Sequence, residues 1–151
     1  MNMSLVSYRP PRIAFVMLAI AAVLHLVSPR ADAVVFTAPW IGVVVALAGF
    51  AIMMWGWWLF QRHAVAICPT APTERLLTRG IYALTRNPMY LGMVSMMLGV
   101  GLYFGTLPFY LATVAYLVLI DRVFCQYEEK KLEAAFGDEY RHYRARVRRW
   151  L

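Results

Sequence analysis

The sequence predicts an all-α integral membrane protein: four transmembrane helices followed by a cytoplasmic C-terminal helical segment. Three observations lead there. The chain has 151 residues, 62% hydrophobic, with a mean hydropathy of +0.58, whereas soluble domains are about half apolar. Its apolar residues gather into four stretches. Fourteen of its 15 Lys and Arg residues lie in segments that four spans would collect on one membrane face. No linker, repeat or low-complexity tract divides residues 1–151, so they read as one membrane domain.

The first span covers about residues 11–28, from Pro11 to Ser28, close to the ~18-residue lower limit for crossing a bilayer. Arg9 and Arg12, an apolar core and Ala31-Asp32-Ala33 also trace the outline of a cleaved signal peptide. Pro10-Pro11 favours a retained span, because Pro is tolerated in a first helical turn. The second span, Trp40 to Gln61, is long enough at ~1.5 Å per residue to cross a ~30 Å hydrocarbon core. The third runs over 88–104, and the fourth from Pro108 to Ile120 or on to about 124. Between them Gly105-Thr106-Leu107-Pro108 carries no charge, and its Gly and Pro predict a tight turn closing a helical hairpin.

Charge sets the orientation. Arg9 and Arg12 precede the first span. Arg62, Arg75, Arg79 and Arg86 follow the second, and eight cations from Arg122 to Arg149 follow the fourth. The other loops hold Arg30. The positive-inside rule makes the rich face cytoplasmic, placing both termini in the cytoplasm; a bacterial inner membrane is the expected setting. The net charge of +7 does not point to nucleic acid, because the cations abut hydrophobic spans. Such segments instead attract anionic headgroups at about 1 kcal/mol per residue. Cys68 and Cys125 both fall on the reducing side, where no disulfide is expected.

Beyond the spans, Leu132, Phe136, Tyr140, Tyr143 and Val147 recur every three or four residues and give segment 125–151 one apolar-aromatic face. Gly137-Asp138 reads as a helix stop with Asp138 as a new N-cap. Arg141, Arg144 and Arg148 take the opposite face. The segment either lies on the membrane surface or folds back over the span ends as a lid.

Two places carry candidate chemistry. The long loop from Arg62 leads into Asn87-Pro88, where the free N–H groups of a helix start can receive an anion. The plainer reading makes Asn87 a simple cap and Tyr90 part of an interfacial aromatic belt. Glu128 and Glu129 follow the fourth span and point about 100° apart on a helix, so they can address different parts of one ligand. Their plainer reading is an ion pair with Lys130, Lys131 or Arg122. Asp121-Arg122 reads as an interfacial pair, His25 as a packing or capping residue, and Met53-Met54-Trp55-Gly56-Trp57-Trp58 as an interfacial packing string. In Gly99-Val100-Gly101, small residues favour helix packing over phosphate binding. No histidine or cysteine pair has metal-ligand spacing.

Leu77, Gly80, Tyr82, Arg86, Pro88, Met89, Tyr90 and Gly92 are followed, one hairpin later, by Glu128, Glu129, Leu132, Phe136, Gly137, Tyr140 and Tyr143. This order resembles the isoprenylcysteine carboxyl methyltransferase and phospholipid methyltransferase superfamily over roughly the last 75 residues. The first two spans match only as hydrophobic segments. The resemblance implies S-adenosylmethionine as cofactor and methyl transfer to a lipid-like acceptor entering from the bilayer. It implies a cofactor site of Leu77, Gly80, Tyr82, Asn87, Pro88, Tyr90, Glu128 and Glu129, with Arg86 and Glu129 in catalytic roles. Asn87, Pro88 and Tyr90 would hold the methionine and adenosine parts, a glutamate the ribose hydroxyls, and Arg86 an anionic acceptor. Many relatives carry His at the position of Asn87. A carboxylate acceptor needs no base; a phospholipid amine would need Glu129, Tyr90 or His63 to take a proton. Two other readings stand beside this one. One is a non-catalytic accessory or transporter-like bundle; the other is a nicotinamide-binding protein like the sterol-type reductases.

Overall fold

A computed structural model describes residues 10–27, 35–62 and 76–151. Arg9, Ser28, Arg30, Ala31–Ala33, His63, Cys68 and Arg75 lie outside these residues. Among the described residues, proline stands in the first turn of each of the first four helices, where its missing N–H costs no intrahelical bond. They are α1 (Pro10–Val27), α2 (Pro39–Arg62), α3 (Pro88–Phe104) and α4 (Leu107–Leu119). A 3₁₀ turn, Gly80–Ala83, precedes α3. A π-helical turn, Ile120–Cys125, leads from α4 into α5 (Gln126–Phe136), and α6 (Asp138–Arg146) follows.

Two expected boundaries move. No break separates the fourth apolar stretch from the polar segment, and helix continues from Leu107 to Phe136, 30 residues. The reason is local: after Pro108, neither Gly nor Pro occurs until Gly137. Gly137, at φ +50°, itself occupies the cap position, so Asp138 is the first residue of α6 rather than its cap.

Among the described residues, three helices are long and apolar enough to cross a membrane: α1, α2 and the run from Leu107 to Phe136. The apolar α3 has 17 residues. Large side chains on α1 and α2 face outward, with Phe15 73% and Trp40 85% exposed. Helices apolar on all sides suit lipid, not water.

The closest helix pairing runs along a seam of glycines. On α2, Gly42, Gly49 and Gly56 recur every seven residues; on the antiparallel α3, Gly92 and Gly99 share that interval. A Cβ at Gly42 would stand 2.6 Å from the Gly99 carbonyl oxygen, and one at Gly49 would stand 2.7 Å from that of Gly92. A seven-residue repeat keeps one stripe facing its neighbour along a left-handed crossing, and small residues let the backbones touch. Gly99 thus serves packing, as its sequence context suggests. Within the Met53–Trp58 string, Gly56 faces Pro88 and Met89 of α3, while Trp55, Trp57 and Trp58 are exposed. The Arg62 guanidinium lies 4.9 Å from the Trp58 ring centroid.

α4 packs on α3, and α1 packs on α4. Met93, Met97, Tyr116, Ile120 and Phe124 form a core between them. The predicted hairpin turn is present: Gly105, at φ +72°, ends α3, and its carbonyl accepts from Val35 N at 2.8 Å. At the same end, Tyr110 Oη donates to the Phe36 carbonyl at 2.6 Å. The His25 ring packs near Phe104 and Phe109 with Nδ1 3.3 Å from Thr106 Oγ1, a packing role as expected.

Candidate functional site

At the opposite end, the 3₁₀ turn, the start of α3, α5 and α6 enclose a cavity. Of the nine residues expected in cofactor-binding and catalytic roles, all line it except Gly80. Gly80 adopts φ +63°, and a Cβ there would lie 2.9 Å from Leu59 Cδ1. It turns the chain closely past α2 and so delivers Tyr82 to the cavity wall. Leu77, Tyr82, Arg86, Asn87, Pro88 and Tyr90 form one side; Glu128 and Glu129 form the other, with Leu132, Tyr140 and Tyr143.

The two glutamates have different surroundings. Tyr90 is buried and its hydroxyl donates to Glu128 Oε1, so Tyr90 is no member of an interfacial belt. Glu129 accepts from Arg86 Nη1 at 2.8 Å. It also accepts both prongs of Arg149, Nε on Oε1 at 2.8 Å and Nη2 on Oε2 at 2.7 Å. Its close partners therefore come from distant segments rather than from Lys130, Lys131 or Arg122. Proximity in sequence misleads here because adjacent residues on a helix point apart. Arg149 Nη1 also reaches Asp121 Oδ1 at 2.9 Å, and Trp150 Nε1 donates to the same oxygen at 3.0 Å. The expected Asp121–Arg122 pair is present, but longer at 3.7 Å.

Asn87 occupies the N-cap position of α3 without making a side-chain cap. Its Nδ2 instead donates to the Arg149 carbonyl at 3.3 Å. Thr85 Oγ1 donates to that same carbonyl at 2.9 Å, and Arg86 N donates to the Arg148 carbonyl at 3.0 Å. The C-terminal segment thus folds back across the site.

Aromatic groups complete the wall. Tyr143 Oη donates to the Tyr82 carbonyl at 2.6 Å, and Arg86 Nη1 donates to Tyr140 Oη at 3.1 Å. Burial pushes the Tyr82 phenol well above its usual range, and the nearby Glu128 carboxylate adds to the effect. Burial also raises Tyr140 and Tyr143, so all three remain neutral near pH 7. Hydrogen bonding to Glu129 raises Arg149 further and keeps it charged. Two polar atoms are conspicuous: Tyr82 Oη and Arg86 Nε are buried and find no hydrogen-bond partner among the described residues. Such groups ordinarily cost about 1–3 kcal/mol each, and both belong to residues of this cavity. Among the described residues, no cluster of His, Cys, Asp or Glu could hold a metal ion.

The sequence model of the phospholipid methyltransferase family matches residues 37–139, which takes in α2 through the start of α6 and both sides of the cavity. The chain belongs to the phospholipid methyltransferase family. Like other proteins of that family, it is read as a membrane methyltransferase. It is similar to a Haemophilus influenzae protein described as uncharacterized, with 38% identity over 63 residues, 42% of this chain and 100% of the relative. No solved structure matches the chain. Arg149 and Trp150 lie outside the family match and were not among the sequence candidates. Nothing in the run Arg146-Val147-Arg148-Arg149 distinguishes the arginine that turns inward from those that face outward.

Proposed function

We propose that this methyltransferase uses S-adenosylmethionine to methylate a membrane-partitioned acceptor. We read α3 as a fourth span, with the cavity and both termini on the cytoplasmic face of a bacterial inner membrane. The observation that carries the reading is the pair of unpartnered buried atoms, Tyr82 Oη and Arg86 Nε, beside the carboxylates of one cavity. The residues present fit the cofactor's chemistry. Carboxylates and tyrosine faces suit a sulfonium cation and ribose hydroxyls, and the Asn87 amide can both donate and accept. When bound, S-adenosylmethionine supplies a methyl group on positively charged sulfur, open to in-line displacement.

The protein's task is then alignment and exclusion of water. Glu128, oriented by Tyr90, takes the ribose hydroxyls. Asn87 and Pro88 bound the cofactor's other end, while Leu77 and Leu132 cover it. Arg86 presents Nε to an anionic group of the acceptor while its Nη1 stays on Glu129. Glu129 is occupied by two guanidiniums and serves to hold Arg86 rather than to take a proton. Of the bases named from sequence, Glu129 is held by two guanidiniums and Tyr90 is bonded to Glu128, and His63 lies outside the described residues. With Glu128 given to the ribose, this favours a carboxylate acceptor, such as that of an isoprenylcysteine-like compound, over a phospholipid amine. Surrounding membrane lipids supply the acceptor through the bilayer.

Calorimetric titration of S-adenosylmethionine into the protein in lipid nanodiscs tests this reading. Wild type is expected to bind, and Glu128→Ala to lose binding while remaining folded. Tyr82→Phe is the sharper variant. Deleting an unpartnered buried hydroxyl should leave thermal stability unchanged or raised. Its affinity should nevertheless fall about tenfold, the equivalent of ~1.4 kcal/mol. Absence of binding by folded wild type would overturn the proposal. A labelled-methyl assay comparing a prenylated thioether acid with phosphatidylethanolamine then decides the acceptor.

A further inference from the structure

Arg149 touches both halves of the site at once. Its side chain grips Glu129 with two parallel hydrogen bonds and Asp121 with a third. Its carbonyl receives Thr85 and Asn87 from the opposite wall. A forked, two-pronged contact fixes the plane of a carboxylate, which a single ammonium cannot do. Arg86 shares one oxygen of that carboxylate. If Arg149 were absent, Glu129 would be free to rotate about its last torsion, and Arg86 would rotate with it. Asp121 and the indole of Trp150 buttress the guanidinium from behind.

We propose that Arg149 is a positioning residue of the cofactor site. By locking the Glu129 carboxylate it aims Arg86 Nε into the cavity, and through its carbonyl it sets the Asn87 amide. It acts through these residues and does not itself line the cavity. The inference rests on the methyl-donor reading above and adds a determinant that lies outside the family-matched region.

The test is S-adenosylmethionine titration of wild type, Arg149→Lys and Arg149→Gln in nanodiscs, with thermal unfolding of each. Tyr110→Phe serves as the control, since it removes a hydrogen bond at the far end of the bundle. Groups that orient the ligands of a metal typically contribute about 10–100-fold to its affinity, and Arg149 stands in the same relation to this site. Both Arg149 variants are therefore expected to bind about thirtyfold more weakly. Lysine restores the charge and the fold but not the affinity, and Tyr110→Phe binds as wild type even where its unfolding temperature drops equally. In a Glu129→Gln background, Arg149→Gln should weaken binding no further, because the carboxylate through which it acts is gone. Wild-type affinity in Arg149→Lys or Arg149→Gln, with wild type itself binding, overturns this inference alone. So does an affinity loss that merely follows unfolding temperature across all variants, Tyr110→Phe included. Failure of wild type to bind removes the cofactor reading and this inference together.

Discussion

Gly49→Val is expected to abolish the folded state. A Cβ at this position already meets Ser95 Cβ at 2.7 Å, the Gly92 carbonyl oxygen at 2.7 Å and Met96 N at 2.9 Å. Two of those three atoms are backbone, so no rotamer change relieves the clash and α2 must move away from α3. Separation costs packing along the whole seam, since Gly42 and Gly99 sit on the same stripe. In lipid that packing is the main force between helices, because hydrocarbon tails solvate apolar side chains as well as a neighbour does. The loss should exceed the ~1–3 kcal/mol usual for an overpacked core. Gly101→Ala is the internal comparison. Its Cβ would meet the Tyr110 ring at 3.3 Å, a side chain able to shift, so a small effect is expected. Unfolding of both variants in detergent, followed by circular dichroism, checks the contrast; equal stability of Gly49→Val and wild type would refute the seam.

Glu129→Ala is expected to have the second-largest effect, on stability as well as binding. The side chains of Arg86 and Glu129 are only 11% and 12% exposed. Removing the carboxylate leaves one largely buried guanidinium without its counter-ion and unpins a second. Breaking a buried pair from one side costs about 3–5 kcal/mol, most of it the stranded charge rather than the lost attraction. The double substitution Arg86→Met with Glu129→Ala removes both charges and should recover part of that loss. Thermal unfolding of the two variants measures the recovery. A double variant less stable than Glu129→Ala alone would mean that the two charges do not depend on each other.

How much of this could be read beforehand differs residue by residue. Hydropathy located the apolar segments, because lipid-facing helices need no finer pattern than apolarity. Gly105 and Pro108 announced the hairpin turn because backbone conformation there is set by those residues themselves. Tyr82, Arg86, Asn87, Tyr90 and the glutamates were legible through family resemblance, and the structure brings them to one cavity. The glycine seam was not read beforehand beyond the packing role of Gly99, because a seven-residue interval alone does not tell which face meets which helix. Arg149 was illegible. Its role depends on a chain reversal after α6 and on two carboxylates, Asp121 and Glu129, arriving side by side from one continuous helix. The π turn was equally hidden, for Ile120–Cys125 contains no residue that marks it.

That turn has a geometric consequence for the site. An α-helix advances ~100° per residue, and a π turn accommodates one residue more than an α turn does. Everything after Cys125 is therefore out of phase, by about one residue's rotation, with the membrane half of the same helix. The azimuth of Glu128 and Glu129 is set upstream, independently of which faces of α4 touch lipid or α3. Loss of that one extra residue would let the helix run true and swing both carboxylates off the cavity, with every lining side chain still present. The helix works as a vernier, one scale reading the bilayer and the other the reaction.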